Sequence, residues 1–410
     1  PDPAPEAAGI ARMRAVLGAT FFVRFGFGLS LAIFATYVLG ETTGLDTQSV
    51  GTIGIISAMA PVGEFTTVLF SGNLADRYGR FPVLLFGTGG AAALLALLSA
   101  TRLPLAVGAL NLAFGVASGG ILAASLAVVG DEAQSGSRGY EMGRFDALNL
   151  LGWIGGFAVG FALLGSLAPS SLSWVLRLGA VAQLGGLFFA FRTFRRHPEG
   201  ARGAPVDWKH IRTVVFRREI LLVTLPWLVI YLLLGTAFVF LGTASAGIHL
   251  PFAELGAIIG GGGLLLLATQ PAFGRLADRH GRMRMMLIGT VGFVGVLLFA
   301  GLLLSFGAQP VLLAGIAVSA LAGLAYGPAA LAALTDLSQS ITRGTTMAIY
   351  TLSINLGMLL GLLLSTTLYS AYGPVGLDVF FAGVGLALSG LTALRYDDQK
   401  LARDLGAAPR

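Results

Sequence analysis

The sequence predicts an all-α polytopic membrane protein, and three observations lead to that prediction. Charged residues make up only 11% of the 410-residue chain and hydrophobic residues 55%, whereas soluble domains usually carry about 25% charged residues. Apolar stretches of membrane-spanning length follow one another with short interruptions. These stretches are continuous and lack the two-residue alternation of β-barrel strands. This composition excludes a soluble enzyme, a nucleic-acid-binding domain and a disordered scaffold.

The apolar stretches divide into twelve spans. A spanning helix needs about 20 mostly apolar residues, because the hydrocarbon core is ~30 Å thick and each helical residue rises ~1.5 Å. In chain order the spans cover residues 15–39, 50–71, 82–101, 104–129, 144–167, 172–194, 220–245, 252–273, 284–306, 310–334, 345–370 and 375–394.

The basic residues predict the orientation of these spans, because cytoplasmic loops carry an excess of Lys and Arg. With the N-terminus inside, 23 of the 26 basic residues fall in cytoplasmic segments. Only Arg102 and Arg177 fall outside, and Arg24 lies within the first span. We therefore expect a multi-pass protein of the plasma (inner) membrane with both termini in the cytoplasm.

One long polar stretch separates the first six spans from the last six. The sequence therefore predicts an N-terminal six-helix bundle over residues 1–194, a cytoplasmic linker over 195–219, a C-terminal six-helix bundle over 220–394 and a cytoplasmic tail over 395–410.

The two halves also share an internal repeat. The segment from Gly72 to Arg80 recurs from Gly274 to Arg282, with seven of nine positions identical at an offset of 202 residues. At an offset of 205, Asp131 matches Asp336, Arg138 matches Arg343, Gly139 matches Gly344, Met142 matches Met347, Gly152 matches Gly357 and Gly156 matches Gly361. Two matches at nearly one offset indicate parallel repeats related by an axis along the membrane normal.

Twelve spans, a basic central loop and a doubled G-x-L-A-D-R-x-G-R pattern are similar to those of the major facilitator superfamily. The motif pattern is closest to the proton-coupled efflux-type members, and the resemblance covers the whole chain. It implies twelve transmembrane helices in two pseudo-symmetric six-helix bundles. It also implies a transporter rather than an enzyme, with no cofactor and no metal.

In that family the loop motif helps to close one face of the transporter. The resemblance therefore implies a cytoplasmic gate formed by Gly72, Asp76, Arg77, Gly79, Arg80, Gly274, Asp278, Arg279, Gly281 and Arg282. Its aspartates can lie against the positive ends of neighbouring helices, and its arginines can pair with acids or lipid phosphates. The expected gate partners are Asp131, Arg138, Asp336 and Arg343. In the alternative interpretation the arginines only set the topology.

Two ionisable residues lie at matching depths in the first two spans. Arg24 lies ~15 Å and Glu64 ~12 Å from the cytoplasmic end, and an ionisable group in a span is a functional hypothesis by default. We expect the two to pair. In the functional interpretation Glu64 binds the proton, and Arg24 tunes its ionisation or holds an anionic substrate. In the alternative they form a static structural pair.

Further polar residues are candidates for the central cavity. Asp146 and Asn149 share a face of the fifth span with Trp153 and are assigned to proton coupling or substrate binding. Cavity candidates in the fourth, seventh, tenth and eleventh spans are Asn111, Tyr231, Tyr326 and Asn355. For each of these four the alternative is a hydrogen bond between helices, and for Asp146 the alternative is an acid at the membrane interface.

The sequence favours proton-coupled export of a hydrophobic or amphiphilic small molecule by alternating access. Exporters of the family carry a G-P-x-x-G-G-like signature in the fifth helix, and here glycine takes the place of its proline within Gly155–Gly160. One alternative is uptake or flipping of an anionic solute or lipid held by Arg24, and another is a non-transporting receptor or scaffold. The expected partners are a small-molecule substrate, protons and membrane lipids, with no nucleic acid, and the expected state is a monomer.

Overall fold

The structure is a computed structural model that describes residues 3–41, 50–134, 136–167, 171–196, 212, 216–232, 260–261, 263, 267–306, 309–338 and 342–395. Its helices are α1 (Pro3–Glu41), α2 (Val50–Tyr78), α3 (Arg80–Leu98), α4 (Pro104–Ser118), α5 (Ile121–Glu132), α6 (Arg138–Ser166), α7 (Leu172–Arg196), α8 (Gln270–His280), α9 (Arg282–Phe306), α10 (Pro310–Gly323), α11 (Tyr326–Leu337) and α12 (Arg343–Arg395). Residues 218–232 are also helical, and the described residues contain no strand.

Seven helical stretches of the described residues are long and apolar enough to cross a membrane. They coincide with the predicted first, third, fourth, fifth, sixth, ninth and tenth spans. The second span lies within α2, and the eleventh and twelfth both lie within α12. Parts of the seventh and eighth spans, and most of the 195–219 linker, lie outside the described residues.

The structure differs from the prediction between the last two spans. The sequence suggested a connection near residues 371–374, but α12 is helical throughout this stretch. Pro374 does not end the helix there, which accords with the tolerance of transmembrane helices for proline.

The fourth and tenth spans are each interrupted at the same place in the repeat. Gly119 and Gly120 separate α4 from α5, and Leu324 and Ala325, at the offset of 205, separate α10 from α11. A Cβ at Gly120 would lie 2.6 Å from the Cβ of Ser71 in α2. A residue without a side chain is therefore needed where this turn packs on α2.

The two halves meet at the end of the molecule that carries the two repeated loops, which we call the basic end. There α2 packs on α12, with Gly72 against Gly344 and Ala348. Likewise α6 packs on α8, with Gly139 against Gly274. Small residues at these contacts allow the backbones to approach closely.

The loops at the basic end depend on two equivalent glycines. Gly79 ends the turn between α2 and α3 with a φ of 97°, and Gly281 between α8 and α9 has a φ of 96°. L side chains rarely adopt these angles. The tight turns place the acid that precedes each glycine next to the arginine that follows it.

Candidate functional site

Asp76 joins the end of α2 to the start of α12. Its carboxylate accepts hydrogen bonds from the backbone N–H groups of Gly344 at 2.8 Å and Thr345 at 2.7 Å, and from Thr345 Oγ1 at 2.7 Å. It thereby caps the positive end of a helix in the other half. Burial raises the pKa of Asp76, while Arg80 and the hydrogen bonds from Thr345 and Gly344 act in the opposite direction.

Three further charges complete this arrangement. Arg80 Nη1 lies 2.8 Å from Asp76, and Arg80 Nη2 lies 3.4 Å from Asp131. Arg343 Nη1 lies 2.6 Å from Asp131 and donates to the Gly130 carbonyl at 2.9 Å. Burial lowers the pKa of Arg343, and Asp131 opposes that shift. We call Asp76, Arg80, Asp131 and Arg343 the Asp76 cluster.

The second repeat forms the same arrangement with the halves exchanged. Asp278 accepts from the backbone N–H groups of Gly139 and Tyr140, both at 2.9 Å, at the start of α6. Arg282 Nη1 lies 2.6 Å from Asp278, and Arg282 Nε lies 3.3 Å from Asp336. Burial lowers the pKa of Arg282, but Asp336 and Asp278 outweigh it, and the net shift is upward.

Arg138 completes the second arrangement, with Nη1 2.8 Å from Asp336. We call Asp278, Arg282, Asp336 and Arg138 the Asp278 cluster. Each cluster joins helices of both halves, so the bonds of both must break for the halves to separate at the basic end.

The structure thus brings the predicted gate residues and their four partners together, except for two arginines. Arg77 is exposed, and its guanidinium lies 4.9 Å from the ring centroid of Tyr78. Arg279 is also exposed. Among the described residues neither forms an ion pair, because both lie on outer faces of their helices, away from the contact between the halves.

The predicted direct pair of Arg24 and Glu64 is absent. Glu64 is only 8% exposed and accepts a hydrogen bond from Ser118 Oγ at 2.7 Å. The guanidinium of Arg24 lies 5.7 Å from the Phe27 ring centroid. No Arg24 nitrogen lies within ion-pair distance of Glu64 in this described region, because Arg24 packs against Gly152 of α6. Its charge nevertheless acts on Glu64 through space.

The four cavity candidates have different surroundings. Asn111 donates to the Ile56 carbonyl at 2.8 Å, and the Tyr326 hydroxyl donates to the Val223 carbonyl at 3.0 Å. Both bonds join helices, as the alternative interpretation expects. Asn355 is 5% exposed, and its Nδ2 has no hydrogen-bond partner among the described residues. Tyr231 lies beside Trp227 in a group of aromatic rings.

Those rings form a wall near Asp146. Trp227 stacks on Tyr326 and Tyr350, with centroids 5.2 and 5.3 Å away, and meets Tyr231 edge-on. Asp146 is 3% exposed. No side chain in the described part of the chain forms a hydrogen bond or ion pair with it.

Two further side-chain atoms are buried without a partner among the described residues. They are Trp227 Nε1, in this wall, and Asn149 Oδ1, three residues after Asp146 in α6. Sequence reasoning missed Ser118, Trp227 and Tyr350. An apolar span gives no signal that separates a packed aromatic ring or a helical serine from one that faces a site.

The described helices carry a twice-repeated charge cluster where the two halves meet, together with buried polar groups. A family model described as "Major Facilitator Superfamily" matches residues 16–252 and 234–409. The chain therefore belongs to the major facilitator superfamily, with its twelve-helix architecture, and is a multi-pass secondary transporter rather than an enzyme.

Solved structures show the same fold. The human organic anion transporter MFSD10 (TETRAN) is 18% identical with a TM-score of 0.74, covering 94% of this chain and 99% of its own. The proton:xylose symporter XylE, bound to 6-bromo-6-deoxy-D-glucose, is 16% identical with a TM-score of 0.68, covering 95% of both chains. No curated protein matches the sequence.

Proposed function

We propose that this protein exports a hydrophobic or amphiphilic small molecule across the plasma membrane in exchange for protons. The basic end and both termini face the cytoplasm in this proposal. The observation that carries it is Glu64, a carboxylate buried in α2, the helix that packs on α12 of the opposite half. A buried acid at such a contact can change its ionisation only together with its surroundings.

The proposed cycle is alternating access. Both clusters are formed here, so this arrangement is closed at the basic end. A proton that binds Glu64 from outside favours separation of the halves at the basic end. The proton then leaves to the cytoplasm and a substrate binds. The substrate returns the protein to the present arrangement and leaves outside.

The aromatic wall supports an amphiphilic substrate. Ligand sites are lined mainly by apolar and aromatic side chains with a few polar groups that fix orientation. Trp227, Tyr231 and Tyr350 supply the rings, and Asp146 and Asn149 supply the polar groups. Exposed apolar side chains such as Phe86 and Leu105 suit contact with lipid around a monomer.

The test uses purified protein in liposomes with an imposed pH gradient. A thermal-shift screen first selects amphiphilic dyes that bind the protein, and the liposome assay then tests whether they are transported. We expect Glu64→Gln to abolish gradient-driven dye movement, while Glu141→Gln retains it. Glu141 is the matched control, since its carboxylate pairs with Arg144 in the first turns of α6. Equal dye movement with and without the gradient, or an active Glu64→Gln protein, would contradict the proposal.

The second candidate is transport of an organic anion held by Arg24. Its support is that Arg24 lies in a span without an ion-pair partner among the described residues, and that a protein of the same fold is an organic anion transporter. For this candidate, Arg24→Gln abolishes uptake of a labelled organic anion and Arg24→Lys retains part of it. Movement of the dye but not the anion would exclude this candidate.

A further inference from the structure

Glu64 and Asn355 face each other across the contact between α2 and α12. The two helices run in opposite directions, since α2 ends and α12 begins at the basic end. Gly72 lies against Ala348 there. Glu64 is eight residues from Gly72 and Asn355 is seven from Ala348, which places them ~12 Å and ~10 Å from that contact.

The chemistry of the two side chains is complementary. Asn355 Nδ2 is a buried donor with no hydrogen-bond partner in the described part of the chain. Glu64 is a buried acceptor that receives a hydrogen bond from Ser118 Oγ, in its own half. An ionised carboxylate attracts an amide donor more strongly than a neutral carboxyl does.

The sequence repeat carries this polar pair in only one of its two copies. The position that matches Glu64 at the offset of 202 is Leu266, and the position that matches Asn355 at the offset of 205 is Leu150. The repeat itself therefore does not require a polar pair at these positions.

We propose that Asn355 is a positioning residue that couples the ionisation of Glu64 to closure of the basic end. Ionised Glu64 attracts Asn355 and holds α2 against α12, and protonated Glu64 releases it. The inference rests on the proposed role of Glu64 and deepens it. This coupling is consistent with export, because a proton that binds Glu64 from outside then favours opening of the basic end toward the cytoplasm.

Among the residues that the structure describes, the charged group that acts on Glu64 from a neighbouring helix is a single arginine. Arg24 of α1 acts on Glu64 through space. Near Glu64, α4 contributes the neutral Ser118, and α3 and α5 carry their charged residues only at their basic ends. Arg24 remains in place in every variant below, so its contribution is common to them.

The test measures closure of the basic end by spin-label distances at several pH values, using the full chain in nanodiscs. The chain has no cysteine, so Arg195→Cys and Arg284→Cys, at exposed ends of α7 and α9, give two defined labelling positions. The variants are Asn355→Leu and the isosteric Asn355→Asp. The matched control is Ser353→Ala, because Ser353 is buried in the same helix and its hydroxyl donates to the Ile349 carbonyl one turn earlier.

In the unmodified chain and in Ser353→Ala, we expect most molecules to show the spin-label distance of the closed arrangement at high pH. The fraction of closed molecules should fall as the pH falls. Asn355→Leu lowers the closed-to-open ratio at high pH roughly tenfold, the effect of losing one hydrogen bond to a charge, with little change at low pH. Asn355→Asp lowers it at least as far, because two carboxylates then repel each other.

Glu64→Gln separates the two claims. If Glu64→Gln lowers the closed-to-open ratio at high pH to its low-pH value, as a side chain that cannot ionise should, but both Asn355 variants respond like the unmodified chain, the role of Asn355 is overturned and that of Glu64 stands. If Glu64→Gln still closes at high pH and opens at low pH like the unmodified chain, the proposed function itself is wrong.

Discussion

The Asp76 and Asp278 clusters share one repeat but differ in burial. Asp76 and Arg80 are fully buried, and Asp131 and Arg343 are 9% and 7% exposed at their side chains. In the Asp278 cluster, Asp278 and Arg282 are 9% and 6% exposed, whereas Asp336 and Arg138 are both 24% exposed. The repeated sequence therefore specifies which charges pair. How strongly each pair stabilises the contact between the two halves depends on the residues around it.

One neighbour differs at the acceptor itself. Thr345 donates both its backbone N–H and its hydroxyl to Asp76. The equivalent residue, Tyr140, donates only its backbone N–H to Asp278. Its ring instead lies 5.1 Å from the guanidinium carbon of Arg275. The Asp76 cluster is therefore the more deeply buried network, and the Asp278 cluster is the more accessible to solvent.

We expect the largest loss of stability from replacing the acid of the Asp76 cluster, and a smaller loss from replacing the equivalent acid of the Asp278 cluster. Asp76→Ala leaves Arg80 buried beside one remaining acid, and loss of a buried partner costs about 3–5 kcal/mol. We expect Asp278→Ala, in the more exposed cluster, to lower the free energy of unfolding by a smaller amount, about 1–3 kcal/mol. Thermal unfolding of the purified variants and spin-label distances at the basic end measure both. Equal losses would show that burial does not distinguish the clusters.

A second comparison uses the arginines that reach across the halves. Arg343→Met removes bonds to both Asp131 and the Gly130 carbonyl, and we expect a loss of about 2–3 kcal/mol for these buried groups. Arg138→Met removes one partly exposed bond to Asp336, for a loss of about 1 kcal/mol or less. Raising the salt concentration should reduce only the Arg138 contribution. A larger loss from Arg138→Met would contradict the comparison.

The third prediction concerns pH in the Glu64→Gln background. Burial raises the pKa of Asp76, so the closed arrangement binds its proton more tightly than an open, hydrated one. The contribution of Asp76 to closure is therefore present at low pH and is lost as the pH rises from the ordinary aspartate range through the raised pKa. Without Glu64, closure should weaken slightly as the pH rises, and Asp76→Asn should remove that slope. A slope that survives Asp76→Asn belongs to another group.

The smallest expected effect comes from Thr345→Val, which removes one hydroxyl and makes the acceptor of the Asp76 cluster resemble that of the Asp278 cluster. We expect a loss of about 1 kcal/mol, with faster hydrogen exchange at the amides of Gly344 and Thr345. Exchange at Gly139 and Tyr140 serves as the internal control. Unchanged exchange at both sites would show that the hydroxyl does not stabilise the cluster.

Much of this arrangement could be predicted from the sequence, because the repeat places matching charges on matching helix ends. Asp76 caps the start of α12 and Asp278 caps the start of α6, and these two helix starts are equivalent at the offset of 205 residues. The burial of each cluster could not be predicted, since it depends on how closely Gly72 and Gly274 let the two halves approach.

The central site was less predictable. The depths of Arg24 and Glu64 follow from counting residues, but depth does not specify the direction in which a side chain leaves its helix. Arg24 packs against α6, and Glu64 is held by Ser118 and faces Asn355. Which side chains pair between two helices therefore cannot be predicted from their depths alone.

The most direct test of proton-coupled export is to record substrate and proton movement together in liposomes. A dye gradient imposed without a pH gradient should drive protons in the opposite direction, and Glu64→Gln should abolish the proton movement. Dye movement with no accompanying proton movement, or with protons moving in the same direction as the dye, would contradict the account.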